Sequence, residues 1–215
     1  MKEFKVLVEK ALKYKENGLN EYEIAEELNL STETVKWLLS KGKEKKPTSE
    51  VKIGWRSIGV YPSRISSISD ALCDILIEES NNRNFDVDTV VGIAINGIPF
   101  ATMIADKLCL ELAVFRPYHK KTGVFSSNYA SVKNKNVVIV DDVVGTGKTF
   151  KAAIDSIKKE KGKPVLCLAV VNKKTEDDID GIPLRALIRT RTVSYTHLRA
   201  HETPEHLVCR LLLEK

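Results

Sequence analysis

Long apolar runs are what this 215-residue sequence lacks. No stretch reaches the roughly 18 consecutive apolar residues that a membrane helix needs, and the N-terminus carries no hydrophobic segment of the kind a secretory signal uses. A soluble, cytoplasmic protein without a membrane partner is the expectation. Cysteine is scarce as well. Cys73, Cys109, Cys167 and Cys209 are widely separated and form no Cys-x-x-Cys pair, which argues against a zinc ribbon and offers no disulfide framework. Reduced thiols are expected. Nor does one sign of charge dominate the first fifty residues, where ten basic side chains are matched by ten acidic ones, so no cationic field covers that segment as a whole. What the chain does have, at 43% hydrophobic and 29% charged with a net charge of +5, is enough material for one good core and a small second module.

The last residues break the pattern of those before them. Residues 193–215, VSYTHLRAHETPEHLVCRLLLEK, are identified as a translated sequencing adapter, a non-native tail, and the native chain is expected to end near Thr192. This sets aside Cys209 and also His197 and His201, whose spacing of four would otherwise suggest zinc ligands on a helix.

The rest divides around residues 41–50, KGKEKKPTSE, a charged stretch with Gly42, Pro47 and no apolar side chain, which reads as a linker. Residues 1–40 form a small all-α module. Phe4, Leu7, Val8, Ala11 and Leu12 recur at helical spacing before Gly18 stops the first helix. Asn20 caps a second helix with Glu23 in capping-box position, and Ile24, Ala25 and Leu28 form its inner face. After the turn Asn29-Leu30, Ser31 caps a third helix whose apolar face is Val35, Leu38 and Leu39. Two short helices joined by a tight turn, with the small Ala25 at their approach, make a helix-turn-helix. EYEIAEELNLSTETVKWLL resembles the DNA-binding units of many prokaryotic regulators. The resemblance places the third helix in the major groove of promoter DNA, with Thr32, Glu33, Thr34 and Lys36 toward base edges and phosphates and Trp37 in either a groove contact or packing. Lys36, Lys41, Lys43, Lys45 and Lys46 cluster on or just after that helix. A three-helix interaction domain is the alternative. One such unit binds weakly, so a homodimer reading two half-sites is expected.

Residues 51–192 alternate apolar strands with helices, the mark of a parallel sheet covered on both faces. Helices are expected at about Ser67–Glu79, through Ala101–Leu108 and from Thr149 to Lys159. Strands are expected in TVVGIAINGI at 89–98 with a break at Asn96-Gly97, at Leu112–Phe115, in Val137–Val140, at 164–172 and within Arg185–Arg189, with a long polar loop at Pro117–Lys135. Sites in such sheets lie at the carboxyl ends of the strands.

The stretch VVIVDDVVGTGKT at 137–149 carries the chemistry. Its end suggests a Walker A loop, but that loop needs glycine five residues before the Gly-Lys pair, where this chain has the acidic Asp142. The stretch instead resembles, at all thirteen positions, the phosphoribosyl-pyrophosphate motif of type I phosphoribosyltransferases, which implies that family's α/β fold. The resemblance implies that Asp141 and Asp142 take the ribose 2′- and 3′-hydroxyls. It also implies that Val144, Gly145, Thr146, Gly147, Lys148 and Thr149 cradle the 5′-phosphate with backbone N–H groups and the two threonine hydroxyls at a helix N-terminus. GIAINGIPFA at 92–101 resembles the pyrophosphate loop, with backbone amides near Ile95, Asn96 and Gly97. Mg²⁺ would arrive with phosphoribosyl pyrophosphate and meet Asp141 and Asp142 indirectly, through ligand and water.

FRPYHKKTG at 115–123 stands where orotate phosphoribosyltransferases open a mobile catalytic loop. Arg116, Lys120 and Gly123 match, but Pro117 and Thr122 replace the lysine and histidine that would neutralise pyrophosphate and handle protons, with His119 and Lys121 as partial substitutes. If the chain is an enzyme, Asp141, Asp142, Lys120 and Arg116 are the catalytic candidates. A helix-turn-helix joined to an orotate-phosphoribosyltransferase-like domain is similar to the archaeal GfcR-type regulators over residues 1–192, GIPLRALIR included. That resemblance implies a transcription regulator whose transferase-like domain senses a phosphorylated sugar or phosphoribosyl ligand. The alternative is an active orotate or purine phosphoribosyltransferase using phosphoribosyl pyrophosphate and magnesium.

Overall fold

The computed structural model describes residues 2–28, 30–40, 53–118 and 122–190. The expected linker at 41–50, the tail from 193, Asn29 of the turn, and Lys120 with His119 and Lys121 lie outside the described residues. Helix α1 spans Lys2–Glu16, α2 Glu21–Leu28 and α3 Thr32–Leu39. Gly18, at φ 90°, turns the chain out of α1, a left-handed conformation that costs glycine little. The start of α2 is a reciprocal cap. Asn20 Oδ1 accepts from the N–H groups of Tyr22 (2.9 Å) and Glu23 (3.1 Å), while Glu23 Oε2 accepts from Asn20 N–H at 2.7 Å. Ser31 Oγ accepts from Thr34 N–H at 3.1 Å and so begins α3. Ala11, Ile24, Ala25, Leu28, Val35 and Leu38 are buried together, and the alanines let the three helices approach closely.

The second module is a seven-stranded sheet: β1 Thr89–Ile93, β2 Glu111–Tyr118, β3 Thr122–Phe125, β4 Asn136–Val144, β5 Lys163–Asn172, β6 Asp178–Ile179 and β7 Ile182–Arg189. The strand order is β3-β2-β1-β4-β5-β7-β6. Helices α4 (Arg56–Gly59), α5 (Pro62–Arg83), α6 (Gly97–Leu108) and α7 (Lys148–Lys159) flank it. The unbroken apolar run of β4 follows from burial on both faces. Val137 and Ile139 pack with Phe150, Ala153, Ile154 and Ile157 of α7. Val138 and Val140 pack with Leu72 and Leu76 of α5 and Phe100 and Ile104 of α6.

The sheet is mixed, where the sequence suggested a parallel one: β3 runs antiparallel to β2, and β6 antiparallel to β7. The polar stretch expected to be a loop from Pro117 therefore contains the end of β2 and all of β3. Gly123 permits this hairpin, because a Cβ there would stand 2.1 Å from the ring of Phe115. Phe125 then packs on Phe115 with ring centroids 5.3 Å apart. Helix α5 starts ahead of the expected Ser67, at Pro62, since proline suits a first helical turn. Strand β1 stops at Ile93, short of the break expected at Asn96-Gly97, and β4 runs on past both carboxylates to Val144. The two-residue β6 was not foreseen. No helix among the described residues is long and apolar enough to cross a membrane.

The chain order places the site. After β1 the chain crosses through α6 to β2 on one side, whereas β4 pairs with the other edge of β1 and leads through α7 to β5. The crossover direction reverses between β1 and β4, which leaves an open crevice beyond their carboxyl ends.

Candidate functional site

Two loops meet in that crevice. The first follows β1 and contains a cis peptide between Ala94 and Ile95. It enters α6 at Gly97, which is held against β4: a Cβ on Gly97 would lie 2.4 Å from the Val140 carbonyl oxygen and 3.2 Å from Asp141 Oδ1. The second loop, Gly145–Gly147, joins β4 to α7. Gly147 has φ 76° and begins α7 without a side-chain cap, leaving first-turn N–H groups open to an anion. Thr146 Oγ1 accepts from Lys148 N–H only at 3.5 Å, at the limit of a hydrogen bond. Lys148 is exposed and Thr149 half-buried.

Asp141 and Asp142 close the crevice floor. Asp142 is 6% exposed. Its Oδ1 accepts from Val143 N–H at 2.7 Å, and Asp141 Oδ1 accepts from Asp142 N–H at 2.9 Å. Asp142 Oδ2 is buried with no partner among the described residues, and a buried carboxylate oxygen left unpaired costs folding energy. Burial raises the pKa of both groups. For Asp141 the neighbouring Asp142 charge adds to the rise, while for Asp142 hydrogen bonds, with Asn96 among the contributing groups, hold part of it back. Asp141 keeps some exposed surface as a residue, yet its carboxyl is desolvated and feels the charges of Asp142 and, more weakly, Glu26. The result is a cramped acidic floor facing an uncapped helix start. It suits a ligand with vicinal hydroxyls to satisfy the carboxylates and an anionic group for the turn.

Two side chains that the sequence did not single out stand at the mouth. Tyr22 and Glu26, one turn apart on α2, reach this crevice from the helical module. Tyr22 Oη lies 3.4 Å from Thr149 Oγ1. Burial, and then the charge of Glu26, raise the Tyr22 pKa well above its usual value. The Glu26 carboxyl is pushed up to about 7, first by burial and further by the charge of Asp142. A cavity of about 380 Å³ beside them is bordered by Asn17, Glu23 and Glu26 on the helical side and Ile95 and Asn96 on the other. As polar residues on the outer face of a helix, Tyr22 and Glu26 gave no sequence signal of this placement.

The other candidates lie apart. Arg116 is exposed on β2, opposite Val124 in the hairpin. In the helical module Thr32, Glu33 and Lys36 are exposed on α3, with Lys36 Nζ 3.7 Å from Glu21 Oε2. Thr34 is drawn into the cap by the Ser31 hydroxyl at 2.9 Å. Trp37 packs against the module core.

The chain matches the family model for the phosphoribosyl transferase domain over residues 64–185. It is 49% identical over 195 residues to the transcriptional regulator GfcR of Thermoplasma acidophilum, covering 90% of this chain and 98% of that one. It is 50% identical over 192 residues to the transcriptional regulator GfcR of Picrophilus torridus, covering 88% and 98%. Among solved structures it resembles orotate phosphoribosyltransferase from Aeropyrum pernix, with 25% identity and TM-score 0.53 over 70% of this chain and 83% of that one. Adenine phosphoribosyltransferase from Thermoanaerobacter pseudethanolicus shares the fold at TM-score 0.54 and 17% identity, over 67% of this chain and 91% of that one.

Proposed function

Because the chain belongs to the GfcR family of transcriptional regulators and carries a phosphoribosyl transferase domain, we propose that it is a DNA-binding regulator whose transferase-like domain senses a phosphoribosyl or sugar-phosphate ligand. The observation that carries the ligand reading is Asp142 Oδ2, buried in the central strand with no partner among the described residues, just ahead of the Gly145–Gly147 turn that leads into the uncapped start of α7. Ribose hydroxyls would donate to Asp141 and Asp142. A 5′-phosphate would take the N–H groups of the Gly145–Thr149 turn and the hydroxyls of Thr146 and Thr149. A pyrophosphate, where the ligand has one, would meet Ile95, Asn96 and Gly97. Asp141 and Asp142 would hold Mg²⁺ only indirectly, through ligand hydroxyls and water, and phosphate oxygens of the ligand would coordinate it. When bound, the ion would neutralise charge on the phosphates.

Exposed Thr32, Glu33 and Lys36 on α3 would read promoter DNA, with two chains of a cytoplasmic homodimer engaging two half-sites. The alternative reading, an active orotate or purine phosphoribosyltransferase, draws on the same retained turn and carboxylates, with Arg116 and Lys120 as further catalytic groups. A thermal-shift series with phosphoribosyl pyrophosphate, ribose 5-phosphate, nucleotides and sugar phosphates, followed by DNA-binding assays with each stabilising ligand, tests the proposal. A ligand that raises Tm and changes DNA affinity supports the sensor. Orotate or purine turnover at ordinary enzymatic rates with no DNA binding at low salt would replace it with the transferase.

A further inference from the structure

The contact between α2 and the crevice uses a group that the proposed ligand also needs. Thr149 sits in the first turn of α7, where its hydroxyl is one of two available to a phosphate. In this structure that hydroxyl faces the Tyr22 phenol at 3.4 Å. One helical turn along α2, Glu26 brings a third carboxyl group beside Asp141 and Asp142. The half-buried phenol donates to the Glu26 carboxyl and accepts from Thr149, so the Thr149 proton that a phosphate would take is already engaged. A dianionic phosphate entering the turn would compete with the Tyr22 phenol for the Thr149 hydroxyl, and the ionised fraction of the Glu26 carboxyl would repel it. Both effects oppose phosphate binding while α2 stays where it is.

We infer that docking of α2 through Tyr22 and occupation of the phosphate turn are mutually exclusive, so that a phosphate-bearing ligand displaces the helical module from the transferase-like module. This rests on the proposed ligand site and adds the route by which its occupancy reaches the DNA-reading helices. By linkage, anything that weakens the docked contact tightens the ligand. Tyr22→Phe removes the phenol's bonds to both Glu26 and Thr149, and release of the one neutral bond that engages the Thr149 hydroxyl corresponds to a roughly two- to tenfold change in affinity.

The test measures ribose 5-phosphate binding to the full chain by calorimetry for the unaltered protein, Tyr22→Phe and Tyr14→Phe, together with hydrogen exchange of α2 with and without the ligand. Tyr14 packs on the core of the same module and serves as the control for general loosening. The expected result is a two- to tenfold tighter affinity in Tyr22→Phe, none in Tyr14→Phe, and loss of exchange protection in α2 but not α5 on adding ribose 5-phosphate. Weaker binding in Tyr22→Phe, or α2 protection that rises with ligand, would make Tyr22 a ligand contact and overturn the inference. An equal gain in Tyr14→Phe would assign the effect to a loosened module and overturn it too. Unchanged affinity with unchanged α2 protection removes the inference and leaves the ligand site standing. Absence of ribose 5-phosphate binding in all three proteins removes the ligand reading and the inference with it.

Discussion

Gly97 lies against Val140: a Cβ at position 97 would stand 2.4 Å from the Val140 carbonyl oxygen and 3.0 Å from Asp141 Cα. These neighbours are backbone of the central strand and cannot swing aside. The close approach brings the loop after β1 and the carboxylates of β4 into one crevice. Gly97→Ala should push that loop outward, costing about 1–3 kcal/mol of stability as overpacking does. Ribose 5-phosphate affinity should fall at least tenfold. Calorimetry and a melting curve on the same sample check both. Unchanged binding would mean that the loop after β1 takes no part in the site.

Asp142 has one oxygen satisfied by Val143 N–H and one buried with no partner among the described residues. On the proposed reading, a sugar hydroxyl would donate to that second oxygen. Asp142→Asn removes the buried charge, so the ligand-free chain should melt no lower than before. Hydrogen bonds to a charged acceptor are worth roughly 1.5–3 kcal/mol, so loss of the carboxylate should weaken ribose 5-phosphate binding by about ten- to a hundredfold. A variant that binds normally would move the sugar away from Asp142.

The acidic crevice also sets a pH dependence. Asp141, Asp142 and Glu26 all hold their protons more tightly in the folded chain than carboxyl groups ordinarily do. A group with a raised folded pKa contributes stability that is complete below its unfolded value and is lost as pH rises through the folded value. For Glu26 that window runs from the ordinary 4.5 to about 7. The Tm of the ligand-free protein should therefore fall between pH 5 and pH 8, at about 2–4 °C for each kcal/mol lost. Glu26→Gln should make the decline shallower. A profile that is flat or rises through this window would mean that these carboxyls are solvated.

The legible parts of this molecule were those fixed by local chemistry. The helical module follows from the Asn20–Glu23 cap, the Ser31 cap and an apolar spacing from which its core takes Leu7, Val8, Ala11, Ile24, Ala25, Leu28, Val35, Leu38 and Leu39. The central strand follows from apolar side chains on both of its faces. The antiparallel edges were not legible, because β3 depends on Gly123 lying under Phe115, a contact between residues whose pairing no periodicity announces. Strand β4 continues beyond Asp142 because β5 pairs with it as far as Val144, and two carboxylates in sequence gave no hint of that. Tyr22 and Glu26 were missed for a related reason. They meet the crevice only through the placement of one module on another, across 127 residues in the case of Tyr22 and Thr149.

Glu79 joins a helix to the far side of the sheet. It is 9% exposed, accepts from Arg83 Nε at 2.6 Å within α5, and accepts from Arg185 Nε of β7 at 2.6 Å with its other oxygen. Although burial raises its pKa, the two guanidinium groups outweigh that and hold the carboxyl below its usual range. Removing Glu79 strands two guanidinium groups that are partly exposed and can be hydrated, so the cost is that of the lost charge-assisted hydrogen bonds, about 1.5–3 kcal/mol. Glu79→Ala should accordingly lower Tm by several degrees without touching the crevice. Ribose 5-phosphate affinity of the folded fraction should stay within about twofold.

Lys36 is the exposed cation on α3 nearest the residues expected to meet DNA, and it is only loosely engaged by Glu21 at 3.7 Å. A surface pair of that length contributes little to stability, so Lys36→Ala should fold with an unchanged Tm. If Lys36 meets a phosphate, its loss should weaken binding to specific and unrelated duplexes alike. The slope of log affinity against log salt should then shrink by about one. If Lys36 instead reads a base edge, the loss should be confined to the specific duplex, at about 1–3 kcal/mol, with relaxed preference at one position. Titrations of both duplexes at several salt concentrations separate the two cases. Equal affinity of Lys36→Ala and the unaltered chain at every salt concentration would take α3 off the DNA and leave the three helices as a protein-binding module.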